Sequence, residues 1–150
     1  MKELTLDING KPHHVRCDET TILIHVLRSA LELIGTRQGC GLEQCGACRV
    51  LVDDEPAYAC TLLAADCEGK AVTTIESADP LLEKLRVAFL ELNAGQCGFC
   101  LSGILVSSLK LLRENPVPDR QAVQSALSDH LCRCGAHNRI IDAVLKAAVS

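Results

Sequence analysis

Eight of the ten cysteines in this 150-residue chain fall into two sets of four, and thiols at such spacings either hold metal or form disulfides. Cys40, Cys45, Cys48 and Cys60 read C-x4-C-x2-C-x11-C, and the first two gaps are those of the loop that holds a plant-type 2Fe-2S cluster. Three glycines, Gly39, Gly41 and Gly46, sit in that loop, where the chain must curl round an anion with its N–H groups turned toward sulfur. Two ferric ions, two sulfides and four thiolates sum to about −2, a charge that backbone donors in a dry site stabilise. Structural zinc prefers paired C-x2-C knuckles, and a four-residue gap in a glycine-rich loop is not that.

The second set is Cys97-Gly98-Phe99-Cys100 with Cys132-Arg133-Cys134, read as C-x2-C and C-x-C. Each pair precedes a stretch of helical periodicity, so two helix starts, with free N–H groups and positive dipole ends, can converge on one anionic group. Zinc held by four thiolates also uses C-x2-C and competes for this set on spacing alone. No secretory leader is read at the N-terminus, so the expected compartment is reducing, where clustered thiols hold metal more often than they pair as disulfides.

The elements that must position these thiols change character near residues 77–80. Before that point the pattern is strand-like. Glu3-Leu4-Thr5-Leu6-Asp7-Ile8 alternates polar and apolar, Asn9-Gly10 is a hairpin turn, and His14-Val15-Arg16-Cys17 returns beside it. A helix is expected from a cap at Asp18 or Thr20 through Ile22, Val26, Leu27 and Ala30 to a stop at Gly35. Residues 49–52 and 57–60 read as a second hairpin around Asp53-Asp54-Glu55, with a later strand over residues 71–75. After Asp79-Pro80 the period becomes 3.6. Leu81, Leu85, Ala88 and Phe89 share one helical face, Ile104, Leu105, Leu109 and Leu112 a second, Val123, Ala126 and Leu127 a third, and Ile140, Ile141, Val144 and Leu145 a fourth. Asn115-Pro116-Val117-Pro118 breaks the chain, and Asp119 caps the third of these helices.

The expected fold class is therefore α+β, with a mixed sheet and one helix over residues 1–79 and four helices over residues 80–150. Charge divides at the same place: residues 1–79 carry 7 basic and 13 acidic side chains, residues 80–150 carry 8 and 6. A 48% hydrophobic composition with mean hydropathy +0.19 gives a folding chain rather than a disordered one. A net charge of −4 and 2% aromatic residues argue against nucleic acid as a partner, since phosphates need a basic face and single strands need stacking platforms. No run of 18 apolar residues is present, so direct membrane insertion is not expected.

The Cys40–Cys48 loop, Cys60, Gly95-Gln96-Cys97-Gly98-Phe99-Cys100 and Leu131-Cys132-Arg133-Cys134-Gly135 together resemble the iron–sulfur subunit of the molybdenum hydroxylases, the xanthine oxidase family, over essentially the whole chain. The resemblance implies a β-grasp, ferredoxin-like 2Fe-2S domain at residues 1–79 and a helical 2Fe-2S domain at residues 80–150. It implies two 2Fe-2S clusters, with Cys40, Cys45, Cys48 and Cys60 on one and Cys97, Cys100, Cys132 and Cys134 on the other. It further implies a large partner subunit holding molybdopterin, as a dinucleotide, with Gln96 at the position that hydrogen-bonds the pterin. Cys134-Gly135-Ala136-His137-Asn138-Arg139-Ile140 is similar to the small subunits of bacterial two-subunit members acting on N-heterocycles, such as nicotinate and isoquinoline dehydrogenases, or on aldehydes. Electrons would then enter at the helical cluster and leave through the plant-type one to a cytochrome c domain or a flavin subunit. The expected location is cytoplasmic, with any membrane association supplied by the partner.

The remaining residues have plainer expectations. Cys17 and Cys67 are free thiols packed as small hydrophobes. His13, His14, His25, His130 and His137 are surface or packing residues, with His137 opening the last helix. Arg133 either offsets cluster charge or is solvated at a subunit edge. Asp53-Asp54-Glu55 is a turn, with acceptor docking as its lesser reading. No nucleophile–base pair or phosphate loop supplies substrate chemistry, so electron carriage is the function left. Against it stand an autonomous two-cluster carrier and a colourless zinc-stabilised interaction module.

Overall fold

Asn9 and Gly10 both take positive φ, 55° and 74°, and fold β1 (Lys2–Ile8) straight back onto β2 (Lys11–Cys17). The computed structural model describes all residues, 1–150. Leu4, Leu6 and Ile8 alternate inward along β1 as the period of two requires. A second turn with positive φ, at Asp53 and Asp54, joins β3 (Arg49–Val52) to β4 (Glu55–Tyr58). β5 (Ala71–Thr73) enters the middle, parallel to β1 and antiparallel to β3, so the five-stranded sheet runs β2-β1-β5-β3-β4. β5 stops two residues short of expectation because Thr74 turns away to hydrogen-bond Asn9, whose side chain accepts from the Thr74 N–H at 2.8 Å. β4 is shifted toward the turn, which leaves Cys60 just beyond the strand.

The first helix differs from the expectation. Asp18 only closes a turn with the Thr21 N–H, and α1 (Leu23–His25) starts at Ile22 with no side-chain cap. It widens at once into a π-helical turn, Val26–Ala30, and has ended before Gly35. Leu23, Ile24, Val26 and Leu27 are all buried, so the segment is enclosed on more than one side and tertiary packing, not a single amphipathic face, sets its path. Beyond it, the Arg28 guanidinium donates to the carbonyls of Ile34 (2.5 Å) and Thr36 (2.8 Å), which holds the extended approach to Cys40.

Four further helices complete the chain, as the periodicity predicts: α2 (Pro80–Glu91), α3 (Leu101–Glu114), α4 (Arg120–Ala126) and α5 (His137–Ala148). The Asp79 carboxylate accepts from the Leu81 and Leu82 N–H groups at 2.7 and 3.2 Å, and Asp119 accepts from Ala122 at 2.7 Å. Buried apolar side chains form two clusters. One joins Leu4, Leu6, Leu23, Ile24, Val50 and Val72 behind the sheet. The other joins Leu82, Leu85, Ile104, Leu109, Ile140 and Val144 among the helices, and Leu51 of β3 belongs to it. β3 is thus buried on both faces, and α3 is the helix that covers its outer side.

The contact between α3 and the sheet is close and charged. A Cβ added to Gly103 of α3 would lie 2.0 Å from the Gly46 carbonyl oxygen, so backbone meets backbone there. Arg113 of α3 bridges Asp54 of the β3–β4 turn and Asp79, the latter at 2.7 Å, while Lys110 reaches Glu55 at 3.2 Å. Burial works against ionisation of Asp79, but Arg113 and the two capping N–H groups outweigh it and hold the carboxyl below its usual range. Asp54 and Glu55 thus pair with Arg113 and Lys110 and tie the β3–β4 turn to α3.

Candidate metal centres

The loop from Gly39 to Cys48 has no regular hydrogen-bonding ladder and turns its N–H groups onto sulfur instead. Leu42 and Gln44 N–H groups donate to Cys40 Sγ at 3.3 and 3.2 Å, and the Cys40 N–H donates to Cys45 Sγ at 3.4 Å. Gly41 and Gly46 take positive φ to allow this curl, and Glu43 joins them at 60°. A Cβ on Gly39 would come within 2.7 Å of Cys45 Sγ. Cys40 is exposed, and its thiol is lowered to about 7, first by the Leu42 N–H. Cys48, on the approach to β3, and Cys60, just past β4, meet in the interior. There burial, then the neighbouring Cys60 thiol, pushes Cys48 up to about 12.

The second set repeats this division. Cys97 is exposed and touches Cys134, and the Phe99 N–H holds its thiol below the ordinary value. Cys100 is buried at the start of α3 against Cys132, and burial pushes it up to about 12. Burial also opposes ionisation of Cys132, but the N–H groups of Ala136, Cys134 and Gly135, ahead of α5, together with the Cys100 thiol, bring it below the ordinary thiol. The N–H groups that reach the second set therefore come from the turns just ahead of α3 and α5.

All eight expected cysteines come together, four in each place, and they do so in pairs: Cys40 with Cys45, Cys48 with Cys60, Cys97 with Cys134, and Cys100 with Cys132. Thiols meeting two by two, with backbone donors around them, fit a binuclear iron–sulfur group, which takes two thiolates per iron, better than one tetrahedral zinc. Cys48 and Cys100, raised by burial, would need the bound group to displace their protons.

The two sets are joined by one short backbone contact, in which the Leu131 N–H donates to the Cys45 carbonyl at 3.1 Å. Leu131 is the neighbour of Cys132, so a thiol of each set lies at either end of that hydrogen bond. Gln96 is exposed beside Cys97, and its amide donates to the Cys134 carbonyl at 3.4 Å. Cys67 is fully buried in the sheet cluster and Cys17 packs against it, as expected of small hydrophobes. Arg133 is exposed, and His137 opens α5.

Sequence reasoning gave His130 no special place among the histidines. It is 3% exposed, and its Nε2 lies 2.7 Å from Ser107 Oγ of α3. Burial, then the charge of Arg49, lowers its pKa to about 4, so the ring is neutral. Its only sequence signal is its place two residues before Cys132.

Comparison with known proteins agrees with this geometry. Residues 72–145 match the family described as the 2Fe-2S binding domain. The chain is 37% identical to a nicotinate dehydrogenase subunit of Pseudomonas putida over 147 residues, covering 97% of this chain and 94% of that protein. It is 39% identical to the nicotine 6-hydroxylase small subunit of Paenarthrobacter nicotinovorans over 146 residues, covering 97% and 88%. Its structure superposes on quinoline 2-oxidoreductase from Pseudomonas putida 86 with a TM-score of 0.92 at 36% identity, covering 99% of this chain and 94% of that one. The chain belongs to the family of small iron–sulfur subunits of the molybdenum hydroxylases.

Proposed function

We propose that the chain carries electrons for a large molybdopterin-binding subunit through two 2Fe-2S clusters. One is held by Cys40, Cys45, Cys48 and Cys60 in a domain of residues 1–79, the other by Cys97, Cys100, Cys132 and Cys134 in a domain of residues 80–150. The pairwise meeting of the eight thiols carries this reading. When bound, the clusters supply one-electron oxidation and reduction, entering at the set beside Gln96 and leaving from the set in the Cys40–Cys48 loop.

The chain's own residues do the rest. Backbone N–H groups of Leu42, Gln44, Phe99 and Ala136 stabilise charge on sulfur. The Leu131 to Cys45 hydrogen bond gives a short bonded connection between the sets. A groove of about 420 Å³ lined by Phe89, Leu90, Gly95, Gln96 and Leu101 receives the partner subunit. There Gln96 donates to Cys134 with its amide and keeps its carbonyl oxygen for the partner's pterin, bound as a dinucleotide. The substrate, an N-heterocycle or an aldehyde, belongs to the partner. The electron acceptor is a cytochrome c domain or a flavin subunit, and the location is cytoplasmic. No helix of the chain is long and apolar enough to cross a membrane.

Purification of the natural complex tests this. A large molybdenum-containing chain should accompany this one, and this chain should carry about four irons and four acid-labile sulfides. Zinc in their place would establish the interaction-module reading, and a fully loaded chain with no partner would establish the autonomous carrier. In the complex, Gln96→Ala should slow reduction of the clusters by substrate while both visible cluster spectra stay unchanged. Loss of one buried neutral hydrogen bond costs only about 0.5–1.5 kcal/mol, but it releases the geometry of the contact. Unaltered reduction kinetics in rapid mixing would remove Gln96 from the pterin.

A further inference from the structure

We propose that His130 is a positioning residue for the contact between the two sets of thiols: held by Ser107, its ring fixes Gly46, and with it the Cys45 carbonyl, against the Leu131 N–H. This rests on the two-cluster reading and adds to it a residue that touches neither cluster.

The observations are geometric. His130 is buried where three segments meet: the Cys45-Gly46-Ala47-Cys48 loop, α3, and the approach to Cys132. On one side Nε2 is 2.7 Å from Ser107 Oγ, and Ser107 is itself 8% exposed. On the other side Nδ1 has no hydrogen-bond partner and lies against Gly46, where an added Cβ would come within 2.3 Å of it. The nitrogen facing Gly46 presents either an N–H or a bare lone pair, and no acceptor lies there for an N–H. An orphaned buried N–H is the costlier choice, so the proton belongs on Nε2, donated to Ser107, and Nδ1 faces the glycine bare.

The far side of Gly46 is closed by Gly103 of α3, whose added Cβ would be 2.0 Å from the Gly46 oxygen. Gly46 is thus gripped between the His130 ring and the α3 backbone. The residue before it, Cys45, presents the carbonyl that accepts from Leu131 at 3.1 Å, and Leu131 follows His130 directly in the chain. A ring anchored to Ser107 therefore sets both partners of that hydrogen bond at once, the acceptor by contact and the donor by covalent connection. Removing the anchor frees the ring to rotate and lets the loop draw away from α3.

The test uses the full chain with both clusters loaded and both reduced. Two paramagnetic centres this close split each other's electron paramagnetic resonance signals, and a dipolar splitting falls with the cube of their separation. His130→Ala and Ser107→Ala should weaken the splitting and slow electron equilibration between the clusters, while each cluster's own signal and the iron content stay as in the unsubstituted chain. His130→Gln should restore the splitting, because its amide nitrogen stands as many bonds from Cβ as Nε2 does and can donate to Ser107. His130→Asn, whose amide reaches only the Nδ1 position, should not. Unchanged splitting in both alanine variants overturns the proposal, as does the absence of any splitting in the unsubstituted chain. If His130→Ala does not fold, Ser107→Ala decides, because it removes one hydroxyl and leaves the ring's volume in place. An unsubstituted chain that lacks one cluster's signal instead fails the two-cluster reading, and the proposal with it.

Discussion

A Cys132→Ser chain should purify with about two irons and two sulfides in place of about four, and should keep the visible signature of the plant-type cluster. Cys132 is half-buried and meets the buried Cys100, so its loss would leave one iron with a single thiolate there. The serine hydroxyl is a poorer anion there, because a hydroxyl is a far weaker acid than a thiol and burial opposes ionisation at this position. Nothing in the Cys40–Cys48 loop depends on that sulfur, and the sheet keeps its own apolar cluster. Limited proteolysis should therefore open residues 80–150 before residues 1–79. Loss of all iron, or a sheet as protease-sensitive as the helices, would refute the division into two separately organised centres.

Gly103→Ala should destabilise the chain by about 3 kcal/mol or more, near the upper end for overpacking. Alanine within a helix ordinarily gains up to about 1 kcal/mol over glycine, and less in the first turn, where Gly103 sits, so the sign here has to come from the tertiary contact. The new methyl would lie 2.0 Å from the Gly46 oxygen and 3.2 Å from the Ala47 carbonyl carbon. Both are backbone atoms, which cannot swing aside as a flexible side chain can, so α3 or the loop must shift. For a chain of this length such a loss lowers the thermal midpoint by roughly 6 to 12 °C. A midpoint at or above that of the unsubstituted chain would show that the seam between α3 and the loop is loose.

Much of this was legible because the signals are local. Asn9-Gly10 and Asp53-Asp54 specify their turns without reference to the rest of the chain, and Asp79 and Asp119 cap their helices through N–H groups two or three residues away. The thiol spacings are equally local up to the point of pairing. α1 departs from its expected length and cap because its buried residues, Leu23, Ile24, Val26 and Leu27, are enclosed by the sheet and its loops, and no helical period encodes that enclosure. The seam was invisible for the same reason. Gly103 looks like an isolated helix glycine, and Ser107 and His130 look like ordinary polar residues, until α3 is laid across Gly46. The link from Leu131 to Cys45 joins residues on opposite sides of the helical segment, and no spacing rule reaches across it.

The unequal reach of the two thiol sets bears on how the chain is made. The ribosome has delivered Cys40, Cys45, Cys48 and Cys60, with the hairpins on either side of them, before any of α2 exists, and α3 and His130 close over Gly46 only afterwards. Cys97, by contrast, has to wait for Cys134, which comes near the end of synthesis. At about 5–20 residues per second the interval from Cys60 to Cys134 lasts several seconds. A nascent chain can therefore receive its first cluster while the second set is still unfinished, so eight thiols never have to be sorted at once. A message truncated after β5 should still yield a coloured product, and a chain cut after α4 should leave Cys97 and Cys100 open to misoxidation.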